Sequence, residues 1–310
     1  MKEKKQKIQC EKIFDSIIIG AGPAGITAGI YLARRNLCVL IIYETLGGQT
    51  ALTADIENYM GFRFISGEDF TKKLDDHLEE YDVTLAEEKV ENLKKNKKLF
   101  TIETSKNIYK GKTVIIASGA RHKKLGVPGE EKFLTKGVAY CATCDAPLFR
   151  NKEVAIIGGG NSALESAIQL ESYAKKIFIL TINKDLEGED ILIEKVRSFK
   201  NIEIIPNAIT KEIKGEKFVT GIVYEKNKKI NEIPLQGVFI EIGYEPNSGI
   251  FDVKKNNQKE IVIDNKNQTS EKGIFAAGDV TEVPVKQIIV AAGEGAKAAI
   301  SAADYLSRFH

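Results

Sequence analysis

Two cysteines, Cys141 and Cys144, stand three positions apart in the segment Tyr140-Cys-Ala-Thr-Cys-Asp145. A disulfide at this spacing closes a small ring. Such pairs often combine a lowered thiolate pKa at one sulfur with a reduction potential suited to thiol–disulfide exchange. Asp145 adjoins the second cysteine and could act as the acid or base that moves its proton. The pattern indicates a redox centre with Cys141, Cys144 and Asp145 as candidate catalytic residues.

Two alternatives exist for this cysteine pair: half of a zinc site, or cysteines with a purely structural role. A zinc ion would need two further ligands, yet the other cysteines, Cys10 and Cys38, stand alone in the sequence. The histidines, His77, His122 and His310, are scattered without the spacing of metal ligands. We therefore favour redox use and expect no metal site. We interpret Cys10 and Cys38 as buried small hydrophobic residues or incidental thiols.

A glycine-rich loop follows a β-branched run near the N-terminus and reads Gly20-Ala-Gly-Pro-Ala-Gly25. It opens a predicted helix, Ala24 to Arg34. In such a unit the glycines allow a tight turn, close approach of a pyrophosphate, and packing of helix on strand. The anion then lies at the helix N-terminus, where free N–H groups and the helix dipole favour negative charge. The sequence predicts a dinucleotide site here, with these candidate contacts: Gly20, Gly22, Pro23, Ala24, Gly25, and Glu44 for the ribose hydroxyls.

A second strand–loop–helix unit extends from Glu153 to Leu170, so two nucleotides are implied. Near the C-terminus, a predicted buried strand ends in the turn Gly278-Asp279, which is suited to contact the nucleotide of the first unit. We therefore predict an α/β protein with two Rossmann-like dinucleotide-binding domains, each a three-layer ββα sandwich. The first comprises residues 1–118 and 246–310, and the second, residues 119–245, is inserted into it and carries the cysteine pair.

Composition limits the function classes. A chain of 310 residues with 43% hydrophobic residues can build two cores. Its formal net charge of +2 comes from interspersed charges, which disfavours a nucleic-acid partner. The Lys-rich start, Met1 to Gln9, lacks the apolar region of a signal peptide, and no later stretch has the length of a membrane span. We expect a cytoplasmic protein with no nucleic-acid or membrane partner.

In combination, these motifs resemble the low-molecular-weight thioredoxin reductases, with the flavoprotein subunit of the alkyl hydroperoxide reductase system as a near relative. The resemblance extends from Phe14 onward. Besides the two glycine loops and the cysteine segment, the motifs that carry it are Gly47-Gly-Gln-Thr50, Ile56-Glu-Asn-Tyr-Met-Gly61, Ala117-Ser-Gly119, Gly158-Gly-Gly-Asn-Ser-Ala163, and Gly278-Asp279 with Lys286-Gln287. The family usually has arginine where this chain has Lys286, which keeps the charge but lacks the planar fork.

The resemblance implies a homodimer whose subunits each have an FAD-binding domain, the first, and a pyridine-nucleotide-type domain, the second. It implies a rotation of the domains, with Cys144 facing the flavin in one orientation and Cys141 exposed to the disulfide of a thioredoxin or glutaredoxin-like protein in the other. It adds candidate FAD contacts: Gly48, Gln49, Asn58, Val90, Ala117, Gly119, Gly278, Asp279, Lys286 and Gln287. It adds candidate contacts to the pyridine nucleotide: Gly158, Gly160, Asn161 and Ser162.

The segment Thr181-Ile-Asn-Lys-Asp-Leu-Glu187 bears on the identity of the electron donor. NADPH-specific members of the family have an arginine run here, because a dianionic phosphate needs fixed cations to offset its desolvation. Lys184, flanked by acidic residues, is a poor substitute. The NADH-using relative places an acid where this chain has Thr181, a role that Asn183, Asp185 or Glu187 could take. We favour NADH over NADPH, with a non-pyridine donor such as ferredoxin or a deazaflavin also open.

The electron acceptor has alternatives as well. The first interpretation is a thioredoxin-disulfide reductase. The second is the flavoprotein reductase of a peroxidase system, whose members carry an extra N-terminal thioredoxin-like region. Only about a dozen residues precede the first predicted strand, so we expect the first. A flavoprotein that has lost turnover is the third, and the intact Cys-x-x-Cys-Asp segment argues against it.

Overall fold

The structure is a computed structural model that describes residues 13–53 and 55–308. It divides into two compact units. The first extends to Arg121 and resumes at Glu245, and the second is His122–Tyr244. Gly119, Ala120 and Arg121 therefore belong to the first unit rather than to the second, as does Glu245.

The first unit begins with parallel strand–helix–strand structure. Before the chain enters the second unit, its strands are β1 (Phe14–Ile19), β2 (Val39–Tyr43), β3 (Asp55–Ile56), β4 (Ile65–Ser66), β5 (Val83–Glu87), β6 (Val90–Asn96), β7 (Leu99–Thr104), β8 (Ile108–Ile116) and β9 (Ala120–His122). Its helices there are α1 (Pro23–Ala33), a 3-10 helix (Gly48–Leu52) and α2 (Gly67–Glu79).

The second unit contains its own strand–loop–helix unit. Its strands are β10 (Val138–Ala139), β11 (Glu153–Ile157), β12 (Lys176–Leu180), β13 (Ile202–Ile205), β14 (Ile209–Gly215), β15 (Val219–Lys226), β16 (Lys229–Pro234) and β17 (Gly237–Ile240). Its helices are α3 (Ala142–Asp145), a 3-10 helix (Ala146–Phe149), α4 (Asn161–Glu171) and α5 (Asp190–Ser198).

The chain then leaves the second unit through β18 (Tyr244–Pro246) and completes the first unit with β19 (Ile274–Ala276) and α6 (Ile288–Leu306). The main sheet has the order β5-β2-β1-β8-β7-β6, and β19 also pairs with β8. Strands β1, β2, β5, β8 and β19 pair in parallel, whereas β6, β7 and β8 form an antiparallel meander. The short strands at the two crossings, β9 and β18, pair with each other.

Alternate residues of these β-branched strands build the core of the first unit on both faces of the sheet. Ile18 and Ile41 pack with helices α1 and α6, whereas their neighbours Ile17 and Ile42 pack against the opposite face. This follows from the two-residue repeat of a strand. Gly295 lets α6 lie directly on α1, because a Cβ there would be 2.1 Å from the Ala24 carbonyl oxygen.

The second unit has three layers. Its parallel sheet has the order β10-β17-β11-β12-β13 and a separate antiparallel sheet has the order β14-β15-β16. Ile156 and Phe239 face a layer of helices, whereas their neighbours Ala155 and Val238 face the cluster that includes the antiparallel sheet. The α/β class with two Rossmann-like units is confirmed. Within the described residues, no helix has both the length and the apolar composition needed to cross a bilayer.

Cys38 differs from its sequence interpretation. It is buried at the start of β2 and is disulfide-bonded, so the interpretation of Cys38 as an incidental thiol is wrong. Cys10, which had the same interpretation, lies outside the described ranges, and so does His310.

Candidate functional site

The first glycine loop leaves the N-terminus of α1 open. The N-cap is Gly22, no side chain caps the helix, and its first turn contains no acidic residue. A Cβ at Gly22 would meet only the Gly47 carbonyl oxygen, at 4.0 Å. Uncapped N–H groups at a helix end favour an anion, so this loop can hold a phosphate group.

Glycine is required at two other positions of this loop. Gly20 has a φ of +110°, and a Cβ there would lie 2.2 Å from the Ala117 carbonyl oxygen. A Cβ at Gly25 would lie 1.9 Å from the Gly20 carbonyl oxygen. Both distances are far below van der Waals contact, so strand, loop and helix could not approach this closely with any other residue.

Two segments distant in sequence converge on this loop. The Gly47 amide donates to the Ala21 carbonyl oxygen at 2.8 Å, and a Cβ on Gly48 would lie 3.5 Å from the Gly22 Cα. From the C-terminal part, Gly278 approaches the start of α1, where its Cβ would be 3.1 Å from that of Ala24. The structure therefore brings these predicted FAD contacts together.

A hydrogen bond joins two further predicted contacts in the first unit. The Asn58 side-chain amide donates to Gln287 Oε1 at 3.0 Å across 229 positions of sequence. Gln49 is exposed in the 3-10 helix of the same unit. Gly119 has a φ of +66°, and a Cβ there would have no neighbour within 4 Å, so this glycine leaves open space after β8.

Asp279 and Lys286 form the charged part of this region. Burial raises the pKa of Asp279, and the positive charge of Lys286 acts in the opposite direction. The Lys286 ammonium pairs with Glu260 at 2.9 Å and donates to the Thr281 carbonyl oxygen at 2.5 Å. Glu260 is not among the residues predicted from the sequence, because a single acidic residue outside any motif does not indicate a site.

Two predicted FAD contacts, Glu44 and Val90, lie outside the glycine loops and turns described above. Glu44 is the first residue after β2 and is exposed. The Val90 side chain is buried at the start of β6 and packs in the core with Ile19 and Ile42. Its side chain is therefore part of the hydrophobic core of the first unit.

The second glycine loop resembles the first in its geometry. Gly160 is the N-cap of α4, no side chain caps this helix, and its first turn contains no acidic residue. Gly158 has a φ of +142°, and a Cβ there would lie 2.3 Å from the Glu241 carbonyl oxygen. A Cβ on Gly160 would have no neighbour within 4 Å. Ser162 is half-buried in the first turn of α4, so this helix end can also receive an anion.

An acidic segment lies along this second loop. The Glu187 amide donates to the Gly159 carbonyl oxygen at 2.7 Å. Asn161 is engaged twice by Glu189, because its Oδ1 accepts from the Glu189 amide at 2.8 Å and its Nδ2 donates to Glu189 Oε1 at 3.2 Å. The Glu189 carboxylate thus lies at the first residue of α4, beside the predicted phosphate position.

The end of β12 is a poor site for a 2′-phosphate. Thr181 is buried, and its Oγ1 accepts from the Asn183 amide at 3.2 Å. Arg197, on α5, pairs with Asp185 at 2.6 Å. The pKa of Asp185 is lowered by the hydrogen bond from the Leu186 amide and by Arg197. Arg197 is therefore neutralised by a carboxylate of the same segment.

The two cysteines of the redox segment form a disulfide, with Cα atoms 5.4 Å apart. Cys141 is the N-cap of α3, and its sulfur accepts from the Cys144 amide at 3.2 Å. Both cysteines and Asp145 are half-buried, and the Asp145 amide donates to the Cys141 carbonyl oxygen at 3.1 Å. A thiolate on Cys141 would be favoured by the amide that its sulfur already accepts.

The strand that leads into the disulfide is held by a buried acid. The Tyr140 hydroxyl donates to Glu130 Oε1 at 2.5 Å, and the amides of Leu125 and Gly126 donate to the same carboxylate at 2.8 and 2.6 Å. Burial and Glu130 raise the pKa of Tyr140. The ring of His122 lies 4.9 Å from that of Tyr140, and burial lowers the His122 pKa to about 4. These contacts fix the residue before Cys141.

A further buried acid, Glu241, lies behind the disulfide segment. Burial raises its pKa to about 7, while hydrogen bonds from Ser166 and from the Ala142 backbone act in the opposite direction. The sequence expectations omit Glu241, although an acid inside the apolar run Val238 to Ile242 is a usable signal. Across the described ranges, no group of three or more His, Cys, Asp or Glu side chains is arranged to hold a metal ion.

Comparison with known proteins gives consistent matches. A family model described as "pyridine nucleotide-disulphide oxidoreductase" matches residues 14–295. The F subunit of alkyl hydroperoxide reductase from Escherichia coli (strain K12) is 41% identical over 317 residues, which cover 99% of this chain and 61% of that protein. A protein named NADH dehydrogenase from Ferdinandcohnia aciditolerans is 41% identical over 301 residues, or 95% of this chain and 58% of that protein.

The chain thus spans about three fifths of the length of these curated relatives. Among solved structures, the thioredoxin reductase from Streptococcus pyogenes MGAS5005 superimposes with a TM-score of 0.92 at 37% identity, covering 96% of this chain and 100% of that one.

Proposed function

The chain belongs to the pyridine nucleotide-disulphide oxidoreductase family, and we propose that it passes electrons from NADH through FAD to the Cys141–Cys144 disulfide and on to a thioredoxin or glutaredoxin-like protein. The observation that carries this proposal is the disulfide itself, which stands at the start of α3 in the unit that also contains an uncapped dinucleotide loop. Cys141, Cys144 and Asp145 are its proposed catalytic residues.

Several predictions made from the sequence are confirmed. The family match and the solved thioredoxin reductase confirm the resemblance to low-molecular-weight thioredoxin reductases and the class of enzyme, an FAD-dependent disulfide oxidoreductase. The family also implies a pyridine nucleotide as the second cofactor. The choice between NADH and NADPH, the partner and the roles of individual residues belong to the proposal.

The residues of the first unit fit FAD. The open N-terminus of α1 supports binding of a pyrophosphate. Asp279, a half-buried carboxyl whose pKa burial raises, is a suitable partner for the hydroxyl groups of a ribityl chain. Asn58 and Gln287 support a place for the flavin ring, since they are hydrogen-bonded to each other on the same unit. When bound, FAD supplies two-electron transfer between a nicotinamide and a disulfide.

Residues of the chain itself carry out the remaining steps of thiol–disulfide exchange. The Cys144 amide, which donates to the Cys141 sulfur, stabilises negative charge on Cys141 when the disulfide opens. A Cys141 thiolate is then the nucleophile for the disulfide of the partner protein. Asp145 supplies or accepts the proton of Cys144, which it adjoins. Tyr140, fixed by Glu130, orients the segment.

The donor assignment rests on electrostatics around α4. A 2′-phosphate would meet Asp185, Glu187 and Glu189, and the nearby Arg197 is already paired with Asp185. Stopped-flow reduction of the bound flavin under anaerobic conditions, with NADH and NADPH in separate experiments, tests the assignment. We expect NADH to bleach the flavin faster at equal concentration. Equal rates, or faster bleaching by NADPH, would refute the preference.

A second donor class is favoured by one observation. Glu189 occupies both polar ends of the Asn161 side chain, so a pyridine nucleotide would have to compete with the chain's own carboxylate. If neither nucleotide bleaches the flavin, photoreduced deazaflavin and reduced ferredoxin are the next donors to add. Reduction by either of these donors alone would replace the NADH proposal.

A second acceptor class is favoured by sequence similarity to the F subunit of alkyl hydroperoxide reductase. The reduced enzyme can be offered thioredoxin and a peroxidase-type thiol protein in parallel, with oxidation of NADH as the readout. We expect faster turnover with thioredoxin. A homodimer, a cytoplasmic location, and the lack of nucleic-acid and membrane partners stay predictions.

A further inference from the structure

Glu241 occupies a central place in the sheet of the second unit. It directly follows β17, which lies between β10 and β11. All three strands are parallel, so their carboxyl ends meet at one edge of the sheet, where α/β proteins place functional groups. The strand β10 leads to Cys141 and β11 leads to Gly158. Glu241 therefore lies between the disulfide segment and the second glycine loop.

Direct contacts fix Glu241 at this edge. Its amide donates to the Ile157 carbonyl oxygen at 2.8 Å. Its Oε1 accepts from the Ser166 hydroxyl, on α4, at 2.6 Å. The Ala142 backbone N–H, between the two cysteines, also hydrogen-bonds to its carboxyl group. One carboxyl group is thus connected to both the nucleotide-loop helix and the disulfide segment.

The charge environment of Glu241 contains no compensating cation among the described residues that affect it. The side chain is 8% exposed. The charged side chain that acts on its pKa is Glu165, an exposed acid on α4, which disfavours ionisation of Glu241. The titratable groups on the disulfide segment are Tyr140, Cys141, Cys144 and Asp145, and burial and Glu130 raise the pKa of Tyr140. A buried carboxyl without a cation changes its protonation when a neighbouring charge changes.

We propose that Glu241 is a positioning residue that takes up a proton when the Cys141–Cys144 disulfide is reduced and releases it when the pair is reoxidised. This proposal rests on the proposed function. In the reductive step the S–S bond breaks, and two electrons from the flavin enter the sulfurs. The fully reduced donor gives up two protons with its two electrons: one proton goes to Cys144, negative charge stays on the Cys141 sulfur, and the second proton goes to the Glu241 carboxylate. Charge and protons balance without any other reactant.

The physical reason is repulsion between like charges. The Cys141 sulfur accepts from the Cys144 amide and the Glu241 carboxyl accepts from the Ala142 amide, so the new thiolate and an ionised Glu241 would place two negative charges on one short segment. Protonation of Glu241 removes that repulsion. The pKa of about 7 for Glu241 in the disulfide state means that the group is already half protonated near neutral pH. A modest additional charge is then sufficient to complete its protonation.

The test is a redox titration of the purified FAD-loaded protein in mixtures of reduced and oxidised dithiothreitol from pH 6 to pH 9. Alkylation followed by mass measurement of the peptide with Cys141 and Cys144 gives the reduced fraction. In the range where Glu241 changes state, wild type takes up as much as one more proton per two electrons than Glu241→Gln. The equilibrium constant then changes tenfold more per pH unit, which corresponds to about 30 mV per pH unit.

Two further variants make the test specific. Glu165→Gln removes a neighbouring exposed charge and keeps the buried carboxyl, so the steep pH dependence is retained. Ser166→Ala removes a hydrogen bond that favours the ionised form, so the steep region moves to higher pH. Circular dichroism of each variant verifies folding. If Glu241→Gln does not fold, the shift in Ser166→Ala carries the test.

The proposal is overturned if Glu241→Gln and wild type show the same pH dependence, or, where that variant does not fold, if Ser166→Ala causes no shift. Dithiothreitol replaces both the electron donor and the partner protein in this titration. A protein that fails to accept electrons from NADH, or fails to reduce thioredoxin, would refute the proposed function and leave this measurement intact. The two proposals are therefore tested separately.

Discussion

The buried acid Glu241 makes a specific contribution to the pH dependence of folding. Its pKa is about 7 in the folded protein against an ordinary value of 4.5. Below pH 4.5 the carboxyl is protonated in both states, and its contribution to stability is fully present. As the pH rises through about 7, the folded state must bury a charge, and that contribution is lost.

The size of this effect follows from the shift. About 2.5 pKa units at about 1.4 kcal/mol each give about 3 to 4 kcal/mol in total, of which roughly 2 to 3 kcal/mol disappears between pH 5 and pH 8.5. Glu241→Gln keeps the size and a hydrogen-bonding oxygen of the side chain but cannot ionise. We therefore expect wild type to lose roughly 2 to 3 kcal/mol more than this variant over that pH range.

Urea unfolding of the oxidised, FAD-loaded protein at pH 5 and pH 8.5, followed by far-ultraviolet circular dichroism, measures the difference. Because both proteins contain the same flavin and the same disulfides, those contributions cancel in the comparison. Glu165→Gln is the matched control, since it removes an exposed carboxylate from the position next to Ser166 on α4. Its loss of stability between the two pH values should be close to that of wild type. Parallel losses of stability in wild type and Glu241→Gln would refute the reasoning.

Three other predictions use different measurements. Cys144→Ser should retain the flavin spectrum and bleaching by NADH but lose reduction of thioredoxin by at least a hundredfold; an unchanged rate would indicate that the disulfide is not on the electron path. Gly295→Ala should lower the flavin content and the melting temperature, because its Cβ would lie 2.1 Å from the Ala24 carbonyl oxygen, whereas Gly293→Ala in the same helix meets nothing within 4 Å and should stabilise by up to about 1 kcal/mol. His122, with a pKa of about 4, should keep a neutral ring at pH 5 in an NMR titration; a midpoint near 6.5 would contradict its burial.

Much of the fold was predictable because its signals are local. Each strand–loop–helix unit occupies a short continuous stretch, and the glycines within it carry the geometric requirement themselves. The predicted helix Ala24 to Arg34 corresponds to α1 at Pro23–Ala33. The structure divides the chain after Arg121 and before Glu245, at a crossing whose strand pairing depends on two segments distant in sequence.

The candidate site was predictable in part for the same reason. The redox disulfide could be anticipated because both cysteines belong to one turn of chain. The disulfide state of Cys38 was not anticipated, because it depends on a partner sulfur rather than on neighbours in sequence. The contact between Asn58 and Gln287 spans 229 positions, and only a family resemblance placed both at the flavin.

The amino-acid sequence by itself determined the class of protein, the two glycine loops that leave helix ends uncapped, and the close pairing of Cys141 with Cys144, since each follows from residue types at short spacing. Only the tertiary structure decided that Glu241 lies behind that pair and that Glu189 engages Asn161. Periodicity along a strand decides which side chains are buried, but it does not decide which strands become neighbours. The order β10-β17-β11, and with it the position of a buried acid beside a disulfide, arises from packing of the whole unit.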